Sequence, residues 1–347
     1  MTTKTTDLPA RDLPGACTSI ETETATASGN TCKLKDYSLL KLVGAGSFGE
    51  VWLSCSKKDG AACAVKVVRK ARLVKDPTLI SGVNQEVDTL KRLGAKSPYI
   101  VNLHNAFANS EYLFMVLDFA QGGDLFTLIG KFSKLPENLA KLYVAELSCA
   151  LEHLHNNSII HRDLKPENVL ITHDGHVKLV DFGLSKRIRY RTGTRCGTLL
   201  FQAPEIRRGN LYTFAVDWWA LGVVTCEMLT GNLPFGCREP GVPSEILLDH
   251  YEIPGKVSSR AAKFLKSLLS IDPMDRPGCC EEISSQSWMQ TEIDWLAVEK
   301  GTAISPYCPK LSGPWDASCF LNIDQKPNYE DLSKKSESFR DQFPAFY

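Results

Sequence analysis

The chain has no apolar run of roughly 18 residues, so no part of it reads as a membrane-spanning helix. Net charge is also missing. Forty lysines and arginines balance 40 aspartates and glutamates, which excludes a whole-molecule field for nucleic acid or anionic membrane and confines electrostatic recognition to local patches. Cysteines are not arranged at zinc-finger spacing: 12 are present, Cys279 and Cys280 side by side, the pattern of free thiols in a reducing compartment. The first residues lack a hydrophobic signal core, and Thr2 stands where myristoylation needs glycine, so a cytoplasmic or nuclear location is expected. No fixed-period repeat is visible.

What is present is ordinary globular composition, 43% hydrophobic and 23% charged over 347 residues, enough for two domains or one large bilobal one. Residues 1–36 are rich in threonine and poor in aliphatics, and are expected to form a disordered tail. From Tyr37 short β-type runs follow (37–43, 50–55 and 62–68), then a helical spacing through Ile80, Val83, Val87 and Leu90, then two more strand candidates at 100–107 and 112–119. Beyond Gly122 and Gly123 the pattern turns helical, as at 139–155 and 216–229. The expected fold is therefore α+β and bilobal, an antiparallel β-rich first lobe (37–119) with one key helix and a mostly helical second lobe (120–289). Residues 290–347, with six prolines and glycines between Gly301 and Pro327, are expected to lie over the body as a tail.

Gly44, Gly46 and Gly49 form G-x-G-x-x-G, which alone fits either a dinucleotide fold or a phosphate flap. The strand-like residues after it and the cation Lys66, where a ribose-binding acid would stand, exclude the first. Gly44, Gly46, Ser47, Phe48 and Gly49 then make a strand-turn-strand whose backbone N–H groups approach phosphates. Lys66 lies in an otherwise apolar strand and needs an anionic partner, for which Glu86 on the following helix is the best candidate. The densest cluster is His161-Arg162-Asp163-Leu164-Lys165-Pro166-Glu167-Asn168, followed by Asp181-Phe182-Gly183. It supplies a base, oxygen ligands for Mg²⁺ and a cation, the needs of phosphoryl transfer.

With Ala203-Pro204-Glu205, Asp217 and Arg276 downstream in order, the chain over about 37–347 resembles a eukaryotic protein kinase. It is similar to the AGC group, most to the cyclic-nucleotide-dependent and S6-type kinases, through Val216-Asp217-Trp218-Trp219-Ala220-Leu221-Gly222. The resemblance implies an ATP- and Mg²⁺-dependent serine/threonine kinase, with a pseudokinase-like signalling scaffold as the alternative. It implies Asp163 as catalytic base, Lys165 on the transferred phosphoryl, Asn168 and Asp181 on Mg²⁺, and Lys66, paired with Glu86, on the α/β-phosphates. Val51, Ala64, Leu117, Asp118, Ala120 and Leu170 would line the adenine and ribose pocket, with Glu167 at its edge. Thr198 after Gly197 fits serine/threonine specificity.

The same resemblance implies that Asp124, Glu167 and Glu227 read arginines upstream of the phosphoacceptor. Thr194 would be an activating phosphosite with Arg162 and Lys186 as its cationic partners. Phe343 and Phe346 would form a hydrophobic motif that docks beside the helix of Glu86, or recruits a phosphoinositide-dependent kinase when undocked. Protein substrates with basic motifs are expected, and a monomer, free or with a regulatory subunit. Four positions depart from the group's pattern: Gly82 for a histidine, Phe320-Leu321-Asn322-Ile323 for an acidic segment, Arg195 and Leu199 for leucine and proline, and Tyr347 directly after Phe346 where relatives carry a phosphoacceptor.

Overall fold

Period-two alternation builds the first lobe. Strands β1 (Tyr37–Gly46), β2 (Gly49–Ser56), β3 (Ala62–Arg69), β4 (Leu103–Ala108) and β5 (Tyr112–Asp118) pair antiparallel in the order β1-β2-β3-β5-β4. Along β3 the alternating side chains part company. Val65 and Val67 join Trp52, Phe107 and Phe114 on one face, where the Phe107 and Phe114 rings stack at 5.1 Å. Ala64 and Val68 join Val83, Val87 and Leu90 on the other. That second face is covered by α2 (Thr78–Leu93), reached through a short helix, α1 (Lys70–Lys75). Lys66 shares the α2 face with Ala64 and Val68, which sends its ammonium toward the helix.

The structure is a computed structural model that describes residues 33–46, 49–234, 252–320 and 340–346. Most of the Thr-rich segment, with Ser47, Phe48 and Tyr347, therefore lies outside the described residues. Leu34–Asp36, read from the sequence as the end of that segment, forms a 3₁₀ turn, and Leu34 packs against the outer sheet face. Ile100 does not begin β4. It bridges Leu179 in parallel, with Val101 N donating to Leu179 O at 3.1 Å, so residues 99–102 run between the lobes.

The second lobe contains α3 (Leu125–Phe132), α4 (Glu137–Asn156), strands β6 (Ile159–Ile160), β7 (Val169–Ile171), β8 (Val177–Leu179) and β9 (Lys186–Arg187), then α5 (Pro204–Arg207), α6 (Ala215–Thr230), α7 (Ser259–Leu268), α8 (Cys280–Ser284) and α9 (Trp295–Glu299). Every residue of α6 from Val216 to Leu229 is buried, as an all-round apolar helix must be, and it forms the axis against which α4 and α7 pack. Beside it Arg276 grips Glu205 through two bonds of 2.7 and 2.9 Å and lies over the Trp219 ring at 5.0 Å. Arg276 also donates to Ser270 O and Ala215 O, at 2.8 and 3.1 Å.

Arg276→Ala removes one partner and strands the Glu205 charge in the lobe. It is expected to cost about 3–5 kcal/mol, read as a lower urea midpoint. An unchanged midpoint would show that the pair carries no stability.

Candidate active site

Two buried clusters face each other across the cleft between the lobes. The first is the cation of β3. Lys66 Nζ lies 2.7 Å from both carboxylate oxygens of Glu86, which is 2% exposed on α2. Burial opposes the ammonium charge, but Glu86 and then Asp181 more than offset it, and the Lys66 pKa is raised. The helix is held at this height by a second bond, 3.0 Å between the Thr89 and Ser185 hydroxyls, which ties α2 to the segment after Asp181.

Above the cation, β1 and β2 close a hairpin in which Gly44 faces Val51 and Gly46 faces Gly49. Gly49 has φ 139°, and a Cβ there would lie 2.1 Å from Val67 O, so only glycine lets the hairpin fold down on β3.

The second cluster hangs on Asp217, a buried acid of α6. It accepts from the backbone N–H of His161 and of Arg162, each at 2.9 Å, and from His155 Nε2 at 2.9 Å. These bonds fix a loop in which Arg162 adopts φ 71°. Asp163 follows and is nearly fully bonded. Its Oδ1 accepts from Thr198 N at 2.7 Å and Thr198 Oγ1 at 2.8 Å, while its Oδ2 meets Lys165 Nζ at 2.9 Å and Asn168 Nδ2 at 3.1 Å. Lys165 Nζ also donates to Thr198 Oγ1 at 2.8 Å. Gly197 makes this approach possible, with φ 92° and a would-be Cβ 2.3 Å from Arg162 O.

Asp181 stands at φ 64°, and the next residue, Phe182, is fully buried with its ring edge-on to His161 at 5.2 Å. The amide nitrogen of Asn168 is committed to Asp163, to its backbone O at 2.8 Å as well as to Oδ2, which turns the Asn168 carbonyl oxygen away from Asp163. Asn168 and Asp181 therefore offer two hard oxygen donors. Among the described residues no cluster of three or more His, Cys, Asp or Glu could hold a metal by itself. That donor set fits Mg²⁺, which takes one or two protein oxygens and completes its shell with phosphates and water.

The residues expected to line the nucleotide pocket lie near the connection between the lobes. Ala64 pairs with Leu117 across β3 and β5, Val51 pairs with Lys66, and Leu170 bridges Asp124 from below. Leu117 and Ala120 are buried. Asp118 differs from its neighbours: its side chain turns out of the cleft. It accepts from Asn102 N and Nδ2 at 3.1 and 3.0 Å, from Lys178 Nζ at 3.0 Å and pairs with His104 Nε2 at 2.8 Å. Burial works against this carboxylate, yet His104, Lys178 and Asn102 together hold its pKa down to about 2. The bond to Asp118 raises the His104 pKa in return.

A family model for the protein kinase domain matches residues 37–289. The chain belongs to the protein kinase family. Within it the chain falls in the AGC group of eukaryotic serine/threonine kinases. It is 39% identical over 295 residues to protein kinase C zeta type of Oryctolagus cuniculus, covering 80% of this chain and 49% of that protein. To the cAMP-dependent protein kinase catalytic subunit of Dictyostelium discoideum it is 35% identical over 304 residues, 86% of this chain and 46% of the relative. A serine/threonine-protein kinase of Arabidopsis thaliana shares 37% identity over 298 residues, 84% and 62% of the two chains. The chain spans between 35% and 63% of the length of such curated relatives.

The remaining expected site residues of the kinase are distributed around this centre. Asp124 caps α3, accepting from Thr127 N at 2.7 Å, Glu167 sits in the 3₁₀ turn before β7, and Glu227 is 4% exposed inside the lobe on α6. Thr194 is exposed, with Lys186 Nζ 3.3 Å from its hydroxyl. Arg162 is not on Thr194. Its Nε donates to Leu184 O at 2.6 Å and its Nη1 to Tyr212 OH at 3.2 Å, and Tyr212 OH in turn donates to Thr194 O at 2.6 Å.

Phe343 and Phe346 are buried, 1% and 3% exposed, beside α2 and β4. There Asn84 Nδ2 donates to Gln342 O at 2.7 Å, and Lys91 Nζ donates to Ala345 O. Sequence reasoning missed the Thr89–Ser185 tie, the Tyr212 link and the Asp118 cluster. Asp118 could have been found, because alternation along β5 points Leu117 inward and therefore its successor outward.

Proposed function

We propose that this chain is an active protein serine/threonine kinase that transfers the γ-phosphate of Mg-ATP to protein hydroxyls. The observation that carries the reading is the completeness of both clusters: Lys66 is paired to Glu86, and Asp163, Lys165, Asn168 and Thr198 are bonded into one network. A scaffold that has lost catalysis has no need to keep such an array.

Asp163 would receive the acceptor hydroxyl and take up its proton, its carboxylate aimed by Thr198 on one oxygen and by Lys165 and Asn168 on the other. Lys165 would then turn from Asp163 toward the transferred phosphoryl. Lys66 would meet the nucleotide phosphates under the glycine hairpin, with Glu86 keeping it extended. Mg²⁺, held by Asn168 and Asp181, would neutralise charge on the phosphates. Asp124, Glu167 and Glu227 would favour arginine upstream of the acceptor, and Glu227 would do so from a buried position where a guanidinium is well desolvated.

Docked Phe343 and Phe346 support a tail that braces α2 in cis, and released they would present an aromatic motif to a phosphoinositide-dependent upstream kinase. Among the described residues no helix is long and apolar enough to cross a membrane. We place the kinase in the cytoplasm or nucleus, as a monomer alone or with a regulatory subunit.

The test is transfer of labelled γ-phosphate to arrayed serine peptides, with and without upstream arginine. No transfer to any peptide or protein would overturn the enzyme reading, and indifference to arginine would remove the upstream preference alone. Phosphate on Thr194 is expected to raise the rate on the order of tenfold, the worth of one charge-assisted bond to Lys186. Thr194→Ala kinetics with phosphopeptide mapping check this, and full activity without that phosphate refutes it.

A further inference from the structure

The segment from Phe182 to Pro204 holds five cations, Lys186, Arg187, Arg189, Arg191 and Arg195, and no acid. The acid that follows, Glu205, is buried and taken by Arg276. One of these cations, Arg195, stands three residues before Thr198, which is bonded to Asp163. Arg195 is exposed and packs against Gly209, where a Cβ would come within 2.4 Å of its Nη2. Arg207 and Arg208 precede that glycine, and Arg207 Nη2 donates to Leu199 O. Two guanidinium groups, those of Arg195 and Arg207, thus lie along the strip that runs from Gly209 to half-exposed Leu199.

Direction follows from the bonds of Asp163. A peptide hydroxyl placed on that carboxylate lies beside Thr198, which holds Oδ1, with Leu199 next in the chain, while the proposed function assigns the residues before the acceptor to Glu167 and Asp124. The acidic flank suits basic residues before the acceptor, so the arginine flank meets the residues after it. Arg195 is three residues from Thr198, a span of at most ~10 Å of extended chain. An arginine side chain and a carboxylate one or two positions past the acceptor close that gap between them.

We propose that Arg195 reads an acidic residue at the first or second position after the phosphoacceptor, so that the substrates are basic before the acceptor and acidic after it. This rests on the kinase reading and adds the substrate's second flank. The sequence marks the same place, since Arg195 and Leu199 replace the apolar pair of the related kinases. An apolar pocket accepts an apolar neighbour. A guanidinium beside a water-accessible strip selects a carboxylate, through bidentate charge-assisted bonds, and disfavours lysine by like-charge repulsion.

The experiment uses the full chain and three serine peptides with identical upstream arginines and aspartate, alanine or lysine in the two following positions. Both labelled-phosphate transfer and binding of the fluorescein-tagged peptides are measured. The expected order is aspartate, alanine, lysine, with kcat/KM for aspartate over lysine differing by about tenfold or more, shrinking as salt rises. Arg195→Glu is expected to invert the order of aspartate and lysine, a reversal that loss of structure cannot produce. Equal kcat/KM and equal Kd for the three peptides overturn the proposal, as does an unchanged order in Arg195→Glu. Absence of transfer with every peptide would count against the kinase reading instead, and the Kd series would still decide the flank.

Discussion

Asp163→Asn is expected to lower single-turnover phosphotransfer by roughly 10²–10⁴ while leaving the circular dichroism spectrum unchanged. The substitution keeps volume and removes the proton acceptor. It also reverses a bond: an amide nitrogen at the Oδ2 position would face Lys165 Nζ and Asn168 Nδ2, both donors, so Lys165 loses its carboxylate partner as well and keeps only Thr198 Oγ1.

Lys66→Met should be as severe in transfer but different in stability, because it leaves Glu86 buried without its cation, a loss of about 3–5 kcal/mol. Pairing it with Glu86→Gln should restore much of the stability and none of the transfer, which separates a structural from a catalytic role. Transfer within tenfold of wild type in Asp163→Asn or Lys66→Met would sink the assignment of these residues.

The second large effect concerns the C-terminal aromatics. Phe343→Ala or Phe346→Ala empties a buried site and should destabilise the docked segment by about 3–5 kcal/mol, more than its remaining bonds to Asn84 and Lys91 can offset. The outcome is release of the segment rather than a partly filled pocket. Truncation after Gln342 should therefore match either point mutant, with faster hydrogen exchange along α2 and lower transfer through the loosened Lys66–Glu86 pair. Identical exchange and activity in the truncated and full-length proteins would remove any bracing role. Tyr347 follows Phe346 directly, so docking should also be indifferent to phosphatase treatment.

Much of this was legible before any coordinates. Short β-type runs locate the five sheet strands to within a few residues, since strands buried on both faces leave near-continuous apolar stretches. The pairing of Lys66 with Glu86 followed from the cost of burying a lone cation. Other parts were hidden for definite reasons. Helix α1 is too short to show a period, and Ile100 belongs to an apolar run whose partner, Leu179, lies far along the chain. Two of the bonds of Arg162 go to backbone oxygens, of Leu184 and Ser185, and a carbonyl leaves no trace in residue type. The packing of Arg195 against Gly209 depends on two segments meeting, which charge counting along the chain does not reveal.

The outward-facing Asp118 joins a side chain of β4, His104, to one of β8, Lys178, where the chain passes from one lobe to the other. A link strapped on its outer side opens less freely. The strap is also a proton sensor with a definite sign. His104 has a raised pKa, so its arm contributes fully below the ordinary histidine value and slackens as pH rises through that raised value. Asp118 holds its charge down to about pH 2, so acid leaves the Lys178 arm intact over the range in which proteins work. Raising the pH through that value should thus soften the link from the small-lobe side alone, and His104→Leu should abolish that part of the pH dependence of the thermal midpoint. A stiffer link here is expected to slow the parting of the lobes and with it the release of nucleotide, read as a faster dissociation of ADP in His104→Leu.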